Sequence, residues 1–286
     1  GAQIELVAGL ALLVREHHQR FTGGDAGQPR GLEFGRRVAA KHTRGDERLG
    51  EWLQHNAGNH GPVMLMYHAI SPGGGTPTWP WAVSRQRFRS QLDALRDYGW
   101  HTVTMDRLLA HSEPIPDRTV VLTFDDGYVD NLDAVVDLRE RGQCASWFIA
   151  TSAIGREPTW ADSGRPQGRM LSASELREMR AAGMEIGSHT VSHARLTDVD
   201  DPSLERELTM SRRTLEDVLG ARVPSFAYPY GAFDERCVRA VAKAGYSAAC
   251  TTRTGWALRD GDPFRMRRLT VFNHDSAASM LRMPSR

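Results

Sequence analysis

From residue 62 onward, short apolar runs alternate with amphipathic segments, and this alternation restricts the fold more than any other feature of the sequence. Apolar runs of this length between turn residues are typical of buried strands. Strands that alternate with helices indicate a parallel sheet with helical crossovers. The strand candidates are residues 63–67, 101–104, 119–124, 145–149, 184–187, 225–228, 246–250 and 267–271.

Helix candidates lie between most of these runs. Two of them show one apolar face at helical spacing, the first with Phe88, Leu92 and Leu95 and the longer one with Leu204, Leu208, Leu215 and Leu219. The longer helix is predicted to start near Asp201 and Pro202, a capping residue followed by a first-turn proline. About eight such strands predict an α/β fold with a closed or nearly closed barrel, whose functional residues lie at the carboxyl ends of strands.

Residues 1–60 differ from the rest, since they combine a short helical pattern, a glycine-rich break and a basic helix-like stretch without any motif. We predict an N-terminal helical extension of unknown role over residues 1–60 and one main domain over residues 61–286. The apolar run at residues 4–14 lacks a basic segment before it and a small-residue cleavage pattern after it, so it does not predict a signal peptide. The compartment and the oligomeric state stay open.

Bulk composition argues against several classes of protein. The formal net charge of +1 argues against a dedicated nucleic-acid binder. No apolar run reaches the ~20 residues that a membrane-spanning helix needs. The cysteines are an odd and sparse set, so we expect free, largely buried thiols rather than a disulfide framework: Cys144, Cys237 and Cys250.

Two adjacent carboxylates, Asp125 and Asp126, end an apolar strand in the segment TFDDGY. Two buried carboxylates are costly unless positive charge lies beside them, and a metal ion would stabilise both. The alternative is a helix N-cap, since an amphipathic segment follows, but a cap accounts for one Asp and not for two.

A pair of histidines, His189 and His193, follows another strand in the segment HTVSH. Histidines four residues apart on a helical turn can bind one metal ion, although a hydrogen-bonded surface pair is the alternative. One Asp and two His would leave coordination positions open for water and substrate, as in catalytic metal sites. The second Asp is then free to act as a general base, which predicts a hydrolase.

Two further strand ends carry candidate residues. Tyr230 lies in the segment FAYPYG, where a backbone N–H could stabilise an oxyanion, although an ordinary strand-to-helix turn explains the segment equally well. His68 ends the first apolar strand and could protonate a leaving amine. From this residue alone, a histidine that caps a core strand is the simpler interpretation.

These four segments, in this order, resemble the polysaccharide deacetylases of carbohydrate esterase family 4 over roughly residues 60–275. The resemblance implies a distorted (β/α) barrel and one divalent metal, usually zinc and sometimes cobalt or nickel. It implies Asp125 as the catalytic base, and Asp126, His189 and His193 as metal ligands. It also implies that the Tyr230 N–H lines the oxyanion hole.

The sequence departs from the family pattern at two places. Ala227 stands where the family usually has an Arg that orients the catalytic Asp, and His274 falls too late to supply the usual general acid. Both departures resemble the branch of biofilm poly-N-acetylglucosamine deacetylases. By that resemblance His68 is the general acid. Independently of the resemblance, Arg268 is a candidate to supply the positive charge missing at Ala227.

The resemblance implies a metal-dependent enzyme that removes N-acetyl groups from an N-acetylglucosamine-containing glycan or glycoside, acting outside the cell as most of the family does. A deacylase of a small acylated amino sugar and an inactive carbohydrate-binding relic are the alternatives. Two long loops, residues 71–80 and 153–169, are expected to decide the substrate. Four tryptophans in loop-like segments are candidates to stack on sugar rings, although each singly is more typical of packing: Trp79, Trp81, Trp160 and Trp256.

Overall fold

The computed structural model describes residues 61–72, 75–110, 115–116 and 118–276. The predicted N-terminal helical extension over residues 1–60, and with it the boundary to the main domain, lies outside the described residues. Of the described helices, none is long and apolar enough to cross a membrane. The three cysteines are free, with Cys237 and Cys250 buried and Cys144 partly buried.

The strands, in chain order, are β1 Val63–Tyr67, β2 Ala69–Ser71, β3 Ala82–Ser84, β4 His101–Thr102, β5 Thr119–Asp126, β6 Ser146–Ile149, β7 Glu185–Ser188, β8 Ser225–Ala227, β9 Ala248–Cys250 and β10 Leu269–Thr270. An 8-stranded sheet runs in the order β10-β1-β5-β6-β7-β8-β9, and β4 pairs with β5. Its strand pairs are parallel. Each predicted strand is present, several of them shortened by one to three residues.

The sheet curls until its two ends approach each other. On one side β10 pairs with β1, and just before β10 a parallel bridge joins Met266 to Cys250 on β9. The segment from Met266 to β10 therefore links both ends of the sheet. The expectation of a distorted (β/α) barrel is confirmed.

The helices are α1 Arg85–Asp97, α2 Met105–Ala110, α3 Asn131–Glu140, α4 Ala173–Ala181, α5 Asp201–Leu219 and α6 Glu235–Lys243. The first residue of α5 is the predicted Asp201, but its N-cap is Asp200, whose side chain accepts a hydrogen bond from the Ser203 N–H. Gly220 ends α5 in the left-handed conformation (φ 61°), which glycine adopts without steric cost. The predicted apolar faces of α1 and α5 pack into the core.

One small element was not predicted from the sequence. Strands β2 and β3 form a separate two-stranded parallel sheet beside the barrel. Each has three residues, too few for an alternating pattern to be recognised. Because β2 follows β1 after a single residue, this small sheet leaves His68 at the junction between two sheets.

Candidate active site

The two carboxylates lie at the carboxyl end of β5, and both are buried. Asp126 adopts a left-handed backbone (φ 76°), and Gly127 follows at φ 94°. This turn ends the strand directly at the carboxylates, and the two side chains then have different partners.

Asp126 lies with His189 and His193, as the sequence predicted. One potential ligand atom from each residue lies within 4.8 Å of the other two. The Asp126 Oδ1 atom is 3.3 Å from the Nε2 atom of His193 and 3.5 Å from that of His189. Within the described part of the chain, this buried oxygen has no hydrogen-bond partner. A buried carboxylate oxygen facing two imidazole nitrogens fits a divalent cation.

His189 is oriented by the strand beside it. Its Nδ1 atom lies 2.8 Å from the carbonyl oxygen of Ala227. A carbonyl only accepts, so Nδ1 carries the proton and the Nε2 lone pair faces Asp126. Burial, together with nearby His193, lowers the pKa of His189 to about 4, against the opposing charges of the two aspartates. His189 is therefore neutral at physiological pH, the form that binds a metal ion.

His193 is enclosed by aromatic rings. Trp160 stacks on it at a centroid distance of 4.8 Å, and the Tyr230 ring meets it at 4.6 Å and a steep angle. Trp160 belongs to the second predicted loop, so that loop reaches the site. These contacts restrict rotation of the His193 ring.

Asp125 is paired with Arg268. The guanidinium donates from Nη1 and Nη2 to the two carboxylate oxygens at 2.7 Å each. Arg268 is fully buried, and it also donates to the Thr251 carbonyl and the Thr123 hydroxyl. Burial acts to raise the pKa of Asp125, but Arg268 and the neighbouring histidines outweigh it, so the pKa is lowered. The positive charge beside Asp125 thus comes from the residue directly before β10.

Tyr230 lies beyond the end of β8 with a left-handed backbone (φ 59°). Its ring is half exposed, and the guanidinium of Arg195 lies over it at 4.6 Å. Next to it, a Cβ atom at Gly231 would collide with the side chain of Thr252, which explains the glycine. The segment therefore holds the Tyr230 backbone in a defined conformation beside His193.

His68 is partly buried between two tryptophans, with ring centroids 5.4 Å from Trp81 and 6.2 Å from Trp79. Tyr67 pairs with Phe124 on β5, so the residues that follow them, His68 and Asp125, lie at the same end of the sheet. The charge of His68 also contributes to lowering the pKa of Asp125 and of Asp126, against the larger effect of their burial. The exposed His274, by contrast, stacks on Phe272.

Backbone strain is concentrated at this site. Among the described residues other than glycine, five have positive φ, and four of these lie here: Asp126, Thr190, His193 and Tyr230. Such conformations cost of the order of 1–3 kcal/mol each and persist where the surroundings enforce them. This clustering is typical of functional sites.

The two predicted loops meet at the site. The indole N–H of Trp79 in the first loop donates to Asp162 in the second at 3.2 Å. Trp79 itself is buried and packs against Tyr128. Trp256 lies in the segment between β9 and β10. Tyr128 ends the TFDDGY segment, whereas Asp162 was not predicted, because its position carries no pattern that distinguishes it from an ordinary loop residue.

Comparisons with known proteins agree with this geometry. The model of the polysaccharide deacetylase family matches residues 112–249. YxkH of Bacillus subtilis, assigned by name to the polysaccharide deacetylases, is 28% identical over 212 residues, covering 73% of this chain and 70% of that protein. A poly-beta-1,6-N-acetyl-D-glucosamine N-deacetylase of Staphylococcus epidermidis is 25% identical over 207 residues, covering 68% of this chain and 69% of that protein.

The fold comparison gives the same result. A crystal structure from Bacillus anthracis, described as a polysaccharide deacetylase, matches with a TM-score of 0.66 at 25% identity, covering 77% of this chain and 68% of the other. Residues 112–249 of this chain therefore match the polysaccharide deacetylase family, and the fold of a larger part of the chain agrees with that match. This family match supports N-deacetylation of a carbohydrate as the type of reaction.

Proposed function

We propose that this protein hydrolyses the N-acetyl group of N-acetylglucosamine residues in a glycan, using one divalent metal ion, and releases acetate. The observation that carries the proposal is the separation of roles between adjacent carboxylates. Asp125 faces Arg268, whereas Asp126 faces His189 and His193.

Asp126, His189 and His193 would hold the metal. One carboxylate and two neutral imidazoles suit zinc, and cobalt or nickel also accept this set. When bound, the ion supplies Lewis-acid polarisation of the acetamide carbonyl and activation of water. Three protein ligands would leave coordination positions open for water and for the carbonyl oxygen of the substrate, as a catalytic site requires.

The remaining roles belong to side chains and backbone of this chain. Asp125, held ionised by Arg268, accepts a proton from the attacking water as the new C–O bond forms. The backbone N–H of Tyr230 donates to the developing oxyanion. His68 gives a proton to the amide nitrogen as the C–N bond breaks, so that the products are acetate and a free amino sugar.

The loops favour a sugar substrate. Partly exposed Trp81 and Trp160 flank the site, next to His68 and His193 respectively. Aromatic faces of this kind stack on the apolar faces of sugar rings. Relatives named for chitin and for poly-beta-1,6-N-acetyl-D-glucosamine make a polymer the first substrate to test.

The test is acetate release from N-acetylglucosamine oligomers of increasing length. Metal-stripped protein is assayed alone and with zinc, cobalt or nickel, beside Asp125→Asn. Asp137→Asn is the matched control, since Asp137 is also buried and also paired with an arginine, Arg85. We expect release that needs metal, vanishes in Asp125→Asn and survives in Asp137→Asn.

The length profile assigns the substrate. Rates that rise with oligomer length support a polymer, whereas equal rates on the monomer point to a small acylated amino sugar. Oligomer binding without acetate release under every metal would contradict the proposal and leave a carbohydrate-binding relic.

A further inference from the structure

His68 is the single residue between β1, which belongs to the barrel, and β2, which belongs to the small sheet. We propose that Asn131, assisted by Asp130, is a positioning residue that holds His68 where it can protonate the leaving nitrogen. This inference rests on the proposed function, because it concerns the general acid of that reaction.

Asn131 is fully buried at the start of α3 and uses both ends of its amide. Its Nδ2 atom donates to the carbonyl oxygen of His68 at 2.9 Å. Its Oδ1 atom accepts from the indole N–H of Trp147 at 3.2 Å. Trp147 is fully buried on β6 and stacks on Phe124 of β5. Through Asn131 the carbonyl of His68 is thus connected to the buried centre of the barrel.

Asp130 makes the second attachment. Its Oδ1 atom accepts from the Asn131 amide at 3.1 Å and from the backbone N–H of Ile70 at 3.4 Å. Asp130 and Asn131 therefore hold the chain directly after the Cα atom of His68, with one contact at the carbonyl of residue 68 and one at the N–H of residue 70.

Asp130 and Asn131 lie close to the proposed base along the chain. Asp125 and Asp126 end β5, and Asp130 and Asn131 follow in the turn that leads into α3. The same short segment thus contains the proposed base and the two residues that hold the backbone next to the proposed acid, His68. Trp79 and Trp81 contact the ring of His68 from the side of the first predicted loop. The relative placement of the acid and the base therefore depends on the segment from Asp125 to Asn131, and not on a late histidine as in the family pattern.

The chemistry offers a selective test of this positioning. An amide nitrogen leaves only when it is protonated, so cleavage of the acetamide depends on a well-placed acid. A nitrophenolate leaves without a proton, so hydrolysis of 4-nitrophenyl acetate depends on the base and the metal site but not on the acid. The ratio of the two rates in one preparation reports the placement of His68.

The experiment compares metal-loaded wild type, His68→Ala, Asn131→Ala and Asn131→Asp. Asn131→Asp keeps an oxygen for the Trp147 indole but removes the amide donor. Gln143→Ala is the matched control, because the buried Gln143 amide also donates to a backbone carbonyl, that of Leu92. For each protein, kcat and KM are measured on chitooligosaccharide and on 4-nitrophenyl acetate, with bound metal determined in parallel.

We expect Asn131→Ala to lower kcat on the oligosaccharide about 10- to 100-fold, the range for displacement of a catalytic group by ~1 Å, with KM and ester hydrolysis little changed. His68→Ala should show the same selectivity, and Gln143→Ala should show none. If both Asn131 variants lose amide and ester hydrolysis together, or lose neither, the inference is wrong. If His68→Ala itself lacks the selectivity, the proposed function of His68 fails instead.

Discussion

The guanidinium of Arg268 faces the carboxylate of Asp125 and forms two hydrogen bonds of 2.7 Å with it, across 143 positions of sequence. Two parallel charge-assisted bonds fix the plane of the carboxylate as well as its charge. Arg268 therefore supplies positive charge beside Asp125 in a chain that has alanine at position 227. This ion pair allows a prediction for the variant Arg268→Ala.

Arg268→Ala should destabilise the protein by about 3–5 kcal/mol, because it leaves the buried Asp125 carboxylate without its partner. The loss of deacetylation should exceed what unfolding explains, since the pKa of Asp125 will rise. Urea unfolding and a pH profile of kcat measure the two effects. Arg267→Ala is the control, because its ion pair with Asp260 is partly exposed and worth about 1 kcal/mol or less. Equal losses in the two variants would contradict the role of Arg268.

His193→Ala should abolish tight metal binding, lowering affinity for zinc by more than the roughly 10- to 100-fold typical of losing an outer-sphere partner. The reason is that His193 and His189 supply the nitrogen atoms facing the buried Oδ1 atom of Asp126. Equilibrium dialysis with zinc measures the change. His274→Ala, at an exposed histidine stacked on Phe272, should bind zinc like the wild type. Unchanged zinc binding in His193→Ala would remove this triad as the metal site.

Tyr230→Gly and Tyr230→Pro should behave differently. Glycine adopts the observed φ of 59° without strain and keeps the backbone N–H, so deacetylation should stay within several-fold of the wild type. Proline removes the N–H and cannot adopt a positive φ, so kcat should fall by about 10²–10³. Steady-state kinetics on chitooligosaccharide, with circular dichroism to check folding, separates the cases. A large loss in the glycine variant would show that the ring matters rather than the N–H.

Glu185→Gln should alter how stability depends on pH. Glu185 is buried on β7 and accepts hydrogen bonds from Ser146, Ser225 and the Asp106 N–H. Burial, with the nearby Asp106 carboxylate, raises the pKa of Glu185 from 4.5 to about 7. The folded state therefore holds this proton to higher pH than the unfolded state does, and the associated stability is complete below pH 4.5 and is lost as pH rises through 7.

Between these pH values the wild type should lose on the order of 2–3 kcal/mol more unfolding free energy than Glu185→Gln does. Urea unfolding of both proteins from pH 4.5 to 8, with a chelator present, measures the difference. Exposed Glu205 serves as the control, and Glu205→Gln should follow the wild-type curve. Parallel curves for wild type and Glu185→Gln would contradict the prediction.

Much of the fold was predictable because its signals are local. Most strands of the barrel lie in short apolar runs, and α5 carries its apolar face within its own 19 residues, with its N-cap, Asp200, directly before them. The strands β2 and β3 were missed because three residues carry too little pattern. The clustering of Asp126, His189 and His193 was predictable for a related reason: the three residues lie at or shortly after the carboxyl ends of two strands, and the barrel brings strand ends to one face.

The sequence by itself determined which residues are the candidates for the chemistry: Asp125 and Asp126 at the end of one strand, and His189 and His193 after another. Only the tertiary structure decided their partners. The curl of the sheet brings Arg268 to Asp125, the start of α3 brings Asn131 to the carbonyl of His68, and the meeting of two loops brings Trp79 to Asp162. Periodicity and spacing are properties of neighbouring residues, whereas these contacts join residues 63 to 143 positions apart and arise from packing of the whole barrel.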